Sequence, residues 1–227
     1  DGNGKIVGDP LELDTTIINS FSNNRIYNII NSEDKQHIMV FKINSKNEDR
    51  YTLTTSLFDS DLKPQGKSRV YIEMPERSDF LSEFSLDNKA TLAFVRGAGT
   101  SENDNIKQLT LLIKQPDRDS VSYHNLEVSD MYLDDLKIKI DNVNENYLIT
   151  SFYAKLKRGN IDGLYCALWD KKEEKIVYKT TTNFSDEIRE NAKSEGNPKF
   201  AFNDFYIQKI LMRKDGSFVI AAESVYS

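Results

Sequence analysis

The scarcest reactive side chains in this 227-residue sequence are two histidines, His37 and His124, and one cysteine, Cys166. Neither histidine has a Ser or Cys nucleophile at the spacing of a known catalytic motif, so both read as structural or surface residues. Cys166 sits in the apolar run 164–169 and reads as a small buried hydrophobe. A single cysteine excludes an internal disulfide framework and a cysteine-based metal cluster. The acids offer more material. Asp59-Ser60-Asp61 and Asp134-Asp135 carry paired carboxylates that suit calcium. Asp59, however, lies at a hairpin, where its side chain caps local backbone N–H groups, and turn chemistry is the stronger reading.

Asp1-Gly2-Asn3-Gly4-Lys5-Ile6 has the spacing of the middle of a calcium-binding helix–loop–helix segment, but Pro10 then falls where the bidentate Glu is required. A turn leading into a strand explains it better. Gly97-Ala98-Gly99-Thr100-Ser101 lacks the Lys-Ser/Thr ending of a phosphate loop, so it is expected to be a flexible loop between two strands. Trp169-Asp170 is a Trp-Asp dipeptide without the period of about 40–45 residues or the Gly-His pair of WD40 repeats. It reads as a strand end carrying a core aromatic. Asn183-Phe184-Ser185 fits the short glycosylation pattern. No residue earns a catalytic, cofactor-binding or metal-binding assignment, and no cofactor is expected.

The elements that would position any site come from an internal repeat. Segments 26–30 and 37–43 flank a polar turn, and the same order returns at 80–85 and 90–95, at 136–140 and 147–153, and at 207–212 and 217–222. The downstream halves correspond too: 51–58, which alternates in polarity, 107–113 and 164–169 end in Leu57-Phe58-Asp59, Leu112-Ile113-Lys114 and Leu168-Trp169-Asp170, and each is followed by a turn and another strand, at 68–74, 121–128 and 175–180. Phe58, Ile113 and Trp169 recur at 55 and 56 residues. The unit is four short antiparallel strands, present three times with a partial fourth. Stacking such sheets radially buries their apolar faces and leaves only short edges, so the expected fold is an all-β, propeller-like array within a single domain, 1–227. A two-sheet sandwich does not require a four-strand period.

One stretch departs from this plan. Residues 185–193 predict a short helix with Ser185 as N-cap and two acids in its first turn, ended by Gly196-Asn197-Pro198. The expected core is Ile38, Val40, Phe41, Leu53, Leu57, Leu92, Phe94, Leu109, Leu111, Leu148, Ile149, Phe152, Leu164, Leu168, Val219 and Ile220.

Composition mainly excludes. Thirty basic against thirty-six acidic residues give a net charge of -6, which argues against a generic nucleic-acid binder. Twenty-four aromatics (12 Phe, 11 Tyr, 1 Trp) spread along the chain argue against disorder. No apolar run approaches the roughly 20 residues of a membrane-spanning helix. The first residues contain no basic-then-apolar leader and no initiator Met, so the expectation is a mature or trimmed chain from which a signal peptide could have been removed. The apolar strand 218–222 needs a cover. Residues 6–13, a partner strand or chain beyond Ser227 could supply it, and the favoured expectation is continuation of the parent chain, making this a fragment of a larger propeller.

The hairpin Leu57-Phe58-Asp59-Ser60-Asp61-Leu62-Lys63-Pro64 resembles recurring segments in propeller-like envelope proteins of Bacteroidetes. So do Phe84-Ser85-Leu86-Asp87-Asn88-Lys89 and the run Lys214 to Glu223, Lys-Asp-Gly-Ser-Phe-Val-Ile-Ala-Ala-Glu. The resemblance spans most of residues 26–223 and rests on turn-and-strand motifs. It implies an exported β-propeller with a binding or scaffolding role, and it brings no catalytic residues. The leading expectation is a non-catalytic module acting on a protein partner in a cell-envelope assembly, periplasmic or associated with the outer membrane. The alternative is a glycan-binding or glycoside-hydrolysing propeller with two convergent carboxylates in an aromatic-lined axial pocket.

Overall fold

The computed structural model describes residues 8–17, 26–47, 49–99, 105–195 and 205–224. The first unit is β1 (Tyr27–Asn31), β2 (His37–Asn47), β3 (Arg50–Asp59) and β4 (Pro64–Glu73), hydrogen-bonded in that order. The second is β5 (Asp79–Leu86), β6 (Leu92–Ala98), β7 (Gln108–Lys114) and β8 (Ser122–Leu126). The third is β9 (Tyr132–Asp141), β10 (Asn146–Ala154), β11 (Gly163–Asp170) and β12 (Lys175–Asn183). After the helix α1 (Asp186–Glu195) come β13 (Phe205–Met212) and β14 (Phe218–Ser224), a two-stranded sheet among the described residues. Every pairing within a sheet is antiparallel.

The first strands of successive units, β1, β5, β9 and β13, lie side by side. They are the inner strands, while β12 at the far edge is exposed except at the half-buried Ile176 and Thr180. This radial order of four-stranded sheets is the propeller-like array that the repeat predicts. No helix among the described residues is long and apolar enough to cross a membrane.

Tight turns set the register. Lys35, Leu62, Ala90 and Gly216 close hairpins with φ of 62°, 60°, 61° and 82°, and their N–H groups donate to Ser32, Asp59, Asp87 and Arg213. Only one of the four is glycine, so the others hold a left-handed conformation at some steric cost. Ala90, expected to open a strand, is one of them, and the strand starts at Leu92. Asp59 behaves as a turn residue: one carboxylate oxygen accepts from the N–H of Asp61 and of Lys63, both at 2.9 Å. Ser185 caps α1, accepting from the N–H of Ile188 at 3.3 Å. Residues 196–198, expected to end the helix, lie outside the described residues.

The core lies between the sheets. Met39, Phe41, Leu53, Val70 and Ile72 of the first unit meet Leu86, Leu92, Phe94 and Leu112 of the second. Across the next junction, Leu109, Leu111 and Leu126 pack with Leu136, Tyr147, Ile149, Tyr165 and Trp169. The expected core residues Val40, Phe41, Leu53, Leu92, Phe94, Leu109, Leu111, Leu148, Ile149 and Phe152 are buried. Ile38, Leu57, Leu164, Leu168 and Ile220 are half-buried. Val219 corrects the expectation: it is 56% exposed, because its face of β14 meets no further sheet among the described residues.

Gly97 and Ala98 also differ from the expected flexible loop. They belong to β6, and a Cβ on Gly97 would sit 2.5 Å from the Phe80 ring. The glycine is there to let that ring pack against the strand. Thr100, Ser101 and the segment 1–6 lie outside the described residues. Residues 8–13 form no strand. Asp14 instead ties this part of the chain to the first unit, accepting from Tyr27 Oη (3.0 Å), Lys42 Nζ (2.8 Å) and Lys67 Nζ (2.7 Å). Lys42 and then Lys67 hold its carboxyl well below the usual carboxylate range.

Candidate functional site

The inner strands concentrate charge where a propeller axis would run. β5 departs from its ladder between Ser82 and Ser85, and β9 departs from its own ladder opposite Thr150 and Phe152. At these irregularities Glu83 and Asp135 adopt φ of 56° and 50°. A bulge re-aims the side chain that it carries. Lys137, two residues beyond the second bulge, lies 3.6 Å from Glu83 and 3.0 Å from Asp135. Each carboxylate also reaches the following unit: Glu83 accepts from Ile138 N–H at 3.3 Å, and Asp135 accepts from Ile207 N–H. Burial pushes the Glu83 carboxyl up, with Lys137 opposing. Burial works against the Lys137 ammonium, but Glu83 and Asp135 outweigh it and raise its pKa.

At one end of the inner strands the hairpin turns join one another. Asn88 accepts the N–H of Asp34 at 3.2 Å, and Asn142 accepts the N–H of Asn88 at 2.9 Å, each step spanning 54 residues of chain. The Asn142 amide donates back to Glu33 at 2.9 Å. Below this polar rim lies a cavity of about 510 Å³ with aliphatic walls from Ile29, Ile30, Ile138 and Ile140. Asn31, Glu33, Ser85, Lys139 and Asn142 supply its polar groups. Neither Glu83 nor Asp135 lines it. Its one aromatic, Phe84, is stacked on Phe94 at 4.8 Å and tilted against Phe41 at 4.7 Å, so neighbouring rings already occupy it.

A second cleft, about 520 Å³, opens between the second and third units and is bordered by Lys89, Arg118, Lys171, Lys172 and Glu145. Asp87, fully buried, anchors its floor. One oxygen accepts from the N–H groups of Lys89 and Thr91 at 2.8 Å, and the other meets Tyr147 Oη at 3.2 Å and Lys171 Nζ. Burial, with Asp87 beside it, keeps the Tyr147 phenol protonated throughout the ordinary pH range.

The residues singled out in the sequence are scattered. Asp134 and Asp135 diverge: Asp134 accepts from Asn105 N–H at 2.5 Å, and Asp135 turns to Lys137. Cys166 is buried, with its sulfur 3.4 Å from Thr150 Oγ1, and burial pushes the thiol up. His124 packs on Trp169 with ring centroids 4.4 Å apart, and burial lowers its pKa. His37 is half-buried in the first unit. The exposed Asn183 accepts from Tyr153 Oη at 2.5 Å. Sequence reasoning missed Glu83 and Lys137, because a bulge that re-aims an acid leaves no trace in the alternation pattern. Glu33, Asn88 and Asn142 had a usable signal in the recurrence of Asn or acid at equivalent hairpin turns.

No protein-family model matches the chain. No curated protein matches it in sequence. Among solved structures it is similar to cobalt-substituted apocarotenoid oxygenase from Synechocystis, at 12% identity and a TM-score of 0.43, over 69% of this chain and 38% of that one. It is also similar to an exo-β-1,3-galactanase from Phanerochaete chrysosporium, at 8% identity and a TM-score of 0.48, over 88% of this chain and 43% of that one. Both are β-propeller folds, and the chain spans less than half the length of either. Likeness this distant carries nothing about chemistry, and the propeller-like arrangement stands on the chain's own sheet order.

Proposed function

We propose that the chain is a non-catalytic binding or scaffold module of a bacterial cell envelope, working outside the cytoplasm on a protein partner, as in the propeller-like envelope proteins of Bacteroidetes. The observation that carries this reading is the outward face of the last sheet. Tyr206, Leu211 and Val219 are 44%, 50% and 56% exposed there, and among the described residues β14 pairs with β13 alone. An apolar sheet face beside a strand edge free of Pro and Lys suits strand addition or face-to-face docking.

The glycan-directed alternative needs two carboxylates facing a sugar. Glu83 and Asp135 are the acids that the inner strands bring together, and both are engaged by Lys137 and by backbone N–H groups of the next unit.

The test places a photo-crosslinking residue at Val219 and, as a control, at the exposed Glu173 on the rim of the third unit. The chain is then expressed in the envelope of a Bacteroidetes host. A discrete protein adduct at Val219 and none at Glu173 is the expected result. Absence of an adduct, together with glycan binding or hydrolysis that Glu83→Gln abolishes, would replace this reading with the alternative.

A further inference from the structure

We propose that the face of the first sheet turned away from the second unit recognises an extended acidic peptide of a partner protein, and that residues 8–17 of this chain are its resident, displaceable occupant. This surface is separate from the outward face of β14, and the proposal does not rest on that face.

The pairing register defines the surface. Met39 and Phe41 point into the core shared with the second unit, so Val40 and Lys42 point the other way. Lys42 lies in one cross-strand row with Tyr27, Thr54 and Arg69, and Val40 lies in the next with Ile29, Ser56 and Lys67.

Residues 8–17 sit on these rows in a way that suits exchange. They form no strand, and among the described residues the hydrogen bonds that tie them to the sheet run to Tyr27, Lys42 and Lys67. All three side chains donate to the Asp14 carboxylate, and Lys42 Nζ donates also to the Thr15 carbonyl at 3.1 Å. Apolar burial adds little, since Leu11 and Ile17 are 59% and 99% exposed. The segment is held mainly by charge at one residue. Another extended segment with a carboxylate at that place can make the same bonds.

The surface also continues past Asp14. Beside Lys42 and Lys67 a recess of about 490 Å³ reaches Arg69, and every residue bordering it is polar or charged. With Asp14 lifted away, these three cations face Asp119 alone, and Asp119 already accepts from the Ser68 hydroxyl at 2.6 Å. Asp117 and Arg118 of the same turn cancel each other and border the other cleft. The vacated surface is therefore net positive, which selects an acidic occupant. Lys42 and Lys67 both pair with Asp14, whereas no ion pair holds Arg69 among the described residues. A peptide with one carboxylate in place of Asp14 and a second at Arg69 gains an ion pair that residues 8–17 lack.

The experiment is fluorescence anisotropy of labelled synthetic peptides with the whole chain, unaltered and as Asp14→Ala. Asp14→Asn serves as a second freed chain should Asp14→Ala lose its cooperative thermal unfolding. The reference peptide has the sequence of residues 8–17. It is expected to bind once per Asp14→Ala chain. The unaltered chain should bind it at least about tenfold more weakly, because its own tethered segment competes at high effective concentration. Asp14→Asn in the peptide, or Lys67→Met added to the freed chain, should weaken binding about tenfold, as loss of a charge-assisted hydrogen bond does. Of the peptides carrying Leu11→Asp, Thr15→Asp or Ile17→Asp, at least one should bind more tightly than the reference, and Arg69→Met should cancel that gain. The proposal is overturned if the freed chains bind no peptide saturably, if the unaltered chain binds as tightly as they do, or if Lys67→Met changes nothing. It is overturned too if no added acid tightens binding. An unaltered chain that runs as a dimer, dissolved by Asp14→Ala, would assign the surface to a second copy instead of a partner's peptide.

Discussion

The junction between the second and third units and that between the third and fourth join the same kind of inner strand, yet they are built very differently. At the first, two four-stranded sheets face each other and bury a continuous cluster from Phe80 to Trp169, with the charged knot of Asp87, Tyr147 and Lys171 beside it. At the second, among the described residues, four strands face two. Among the described residues there, Phe152, Ile161 and Ile207 are buried, and Leu164, Phe184, Phe205, Ile210 and Ile220 are half-buried around them. Phe152, Phe184 and Phe205 meet at centroid distances of 5.9–6.0 Å, and Arg189 of α1 fastens the corner by donating to the Asp162 carbonyl at 2.7 Å. The difference teaches that the size of an inter-sheet core follows the number of strands facing it. A two-stranded sheet is marginal by itself, so the last junction should open first.

The largest expected effect comes from breaking the stronger junction at its charge. Asp87→Ala leaves the half-buried Lys171 without its carboxylate and removes the buried acceptor for two backbone N–H groups and the Tyr147 hydroxyl, at an expected cost of about 3–5 kcal/mol in urea unfolding. A loss under about 1 kcal/mol would mean that the knot does not hold the junction. Next, Leu111→Ala should cost about 2–5 kcal/mol in global stability. Ile207→Ala should chiefly raise local opening, seen as faster amide exchange confined to β13 and β14. Equal protection of β14 and β10 in hydrogen exchange would erase the contrast.

A smaller effect, about 1–3 kcal/mol, is expected for Gly97→Ala, since the new methyl must displace the Phe80 ring. A Gly97→Ala, Phe80→Leu double variant should recover part of that loss.

The mildest test compares two acids by carboxyl NMR titration. Glu145, on the rim, is held at about 2, first by Lys89 and then by Lys172. Its folded pKa lies below the ordinary 4.5, so the stability it contributes is present above that value and is lost as pH falls towards about 2. Glu83 runs the other way: burial raises its folded pKa, so its contribution is present at low pH and is lost as pH rises through that value. Glu83 titrating below Glu145 would contradict the geometry of both.

The turns and strands were legible because their chemistry is local. Alternation over 51–58 yields β3 to within a residue at each end, and the acids and Asn at hairpin starts announce the turns. Ser185 and the acids after it announce α1 in the same way. Val219 was not legible, since an apolar strand residue looks the same whether or not another sheet covers it. Gly97 was not, because what demands a glycine there is the Phe80 ring on a neighbouring strand.

The candidate sites divide along the same line. By itself the sequence determined the period, the four-strand unit and the turns, because these arise from contacts a few residues apart and repeat at every copy. Only the tertiary structure decided that Glu83 and Asp135 share Lys137, that Asp134 and Asp135 part company, and that Glu33, Lys139 and Asn142 meet at the mouth of one cavity. Bulges and radial stacking bring those groups together from different units, over separations that no local pattern of side chains encodes.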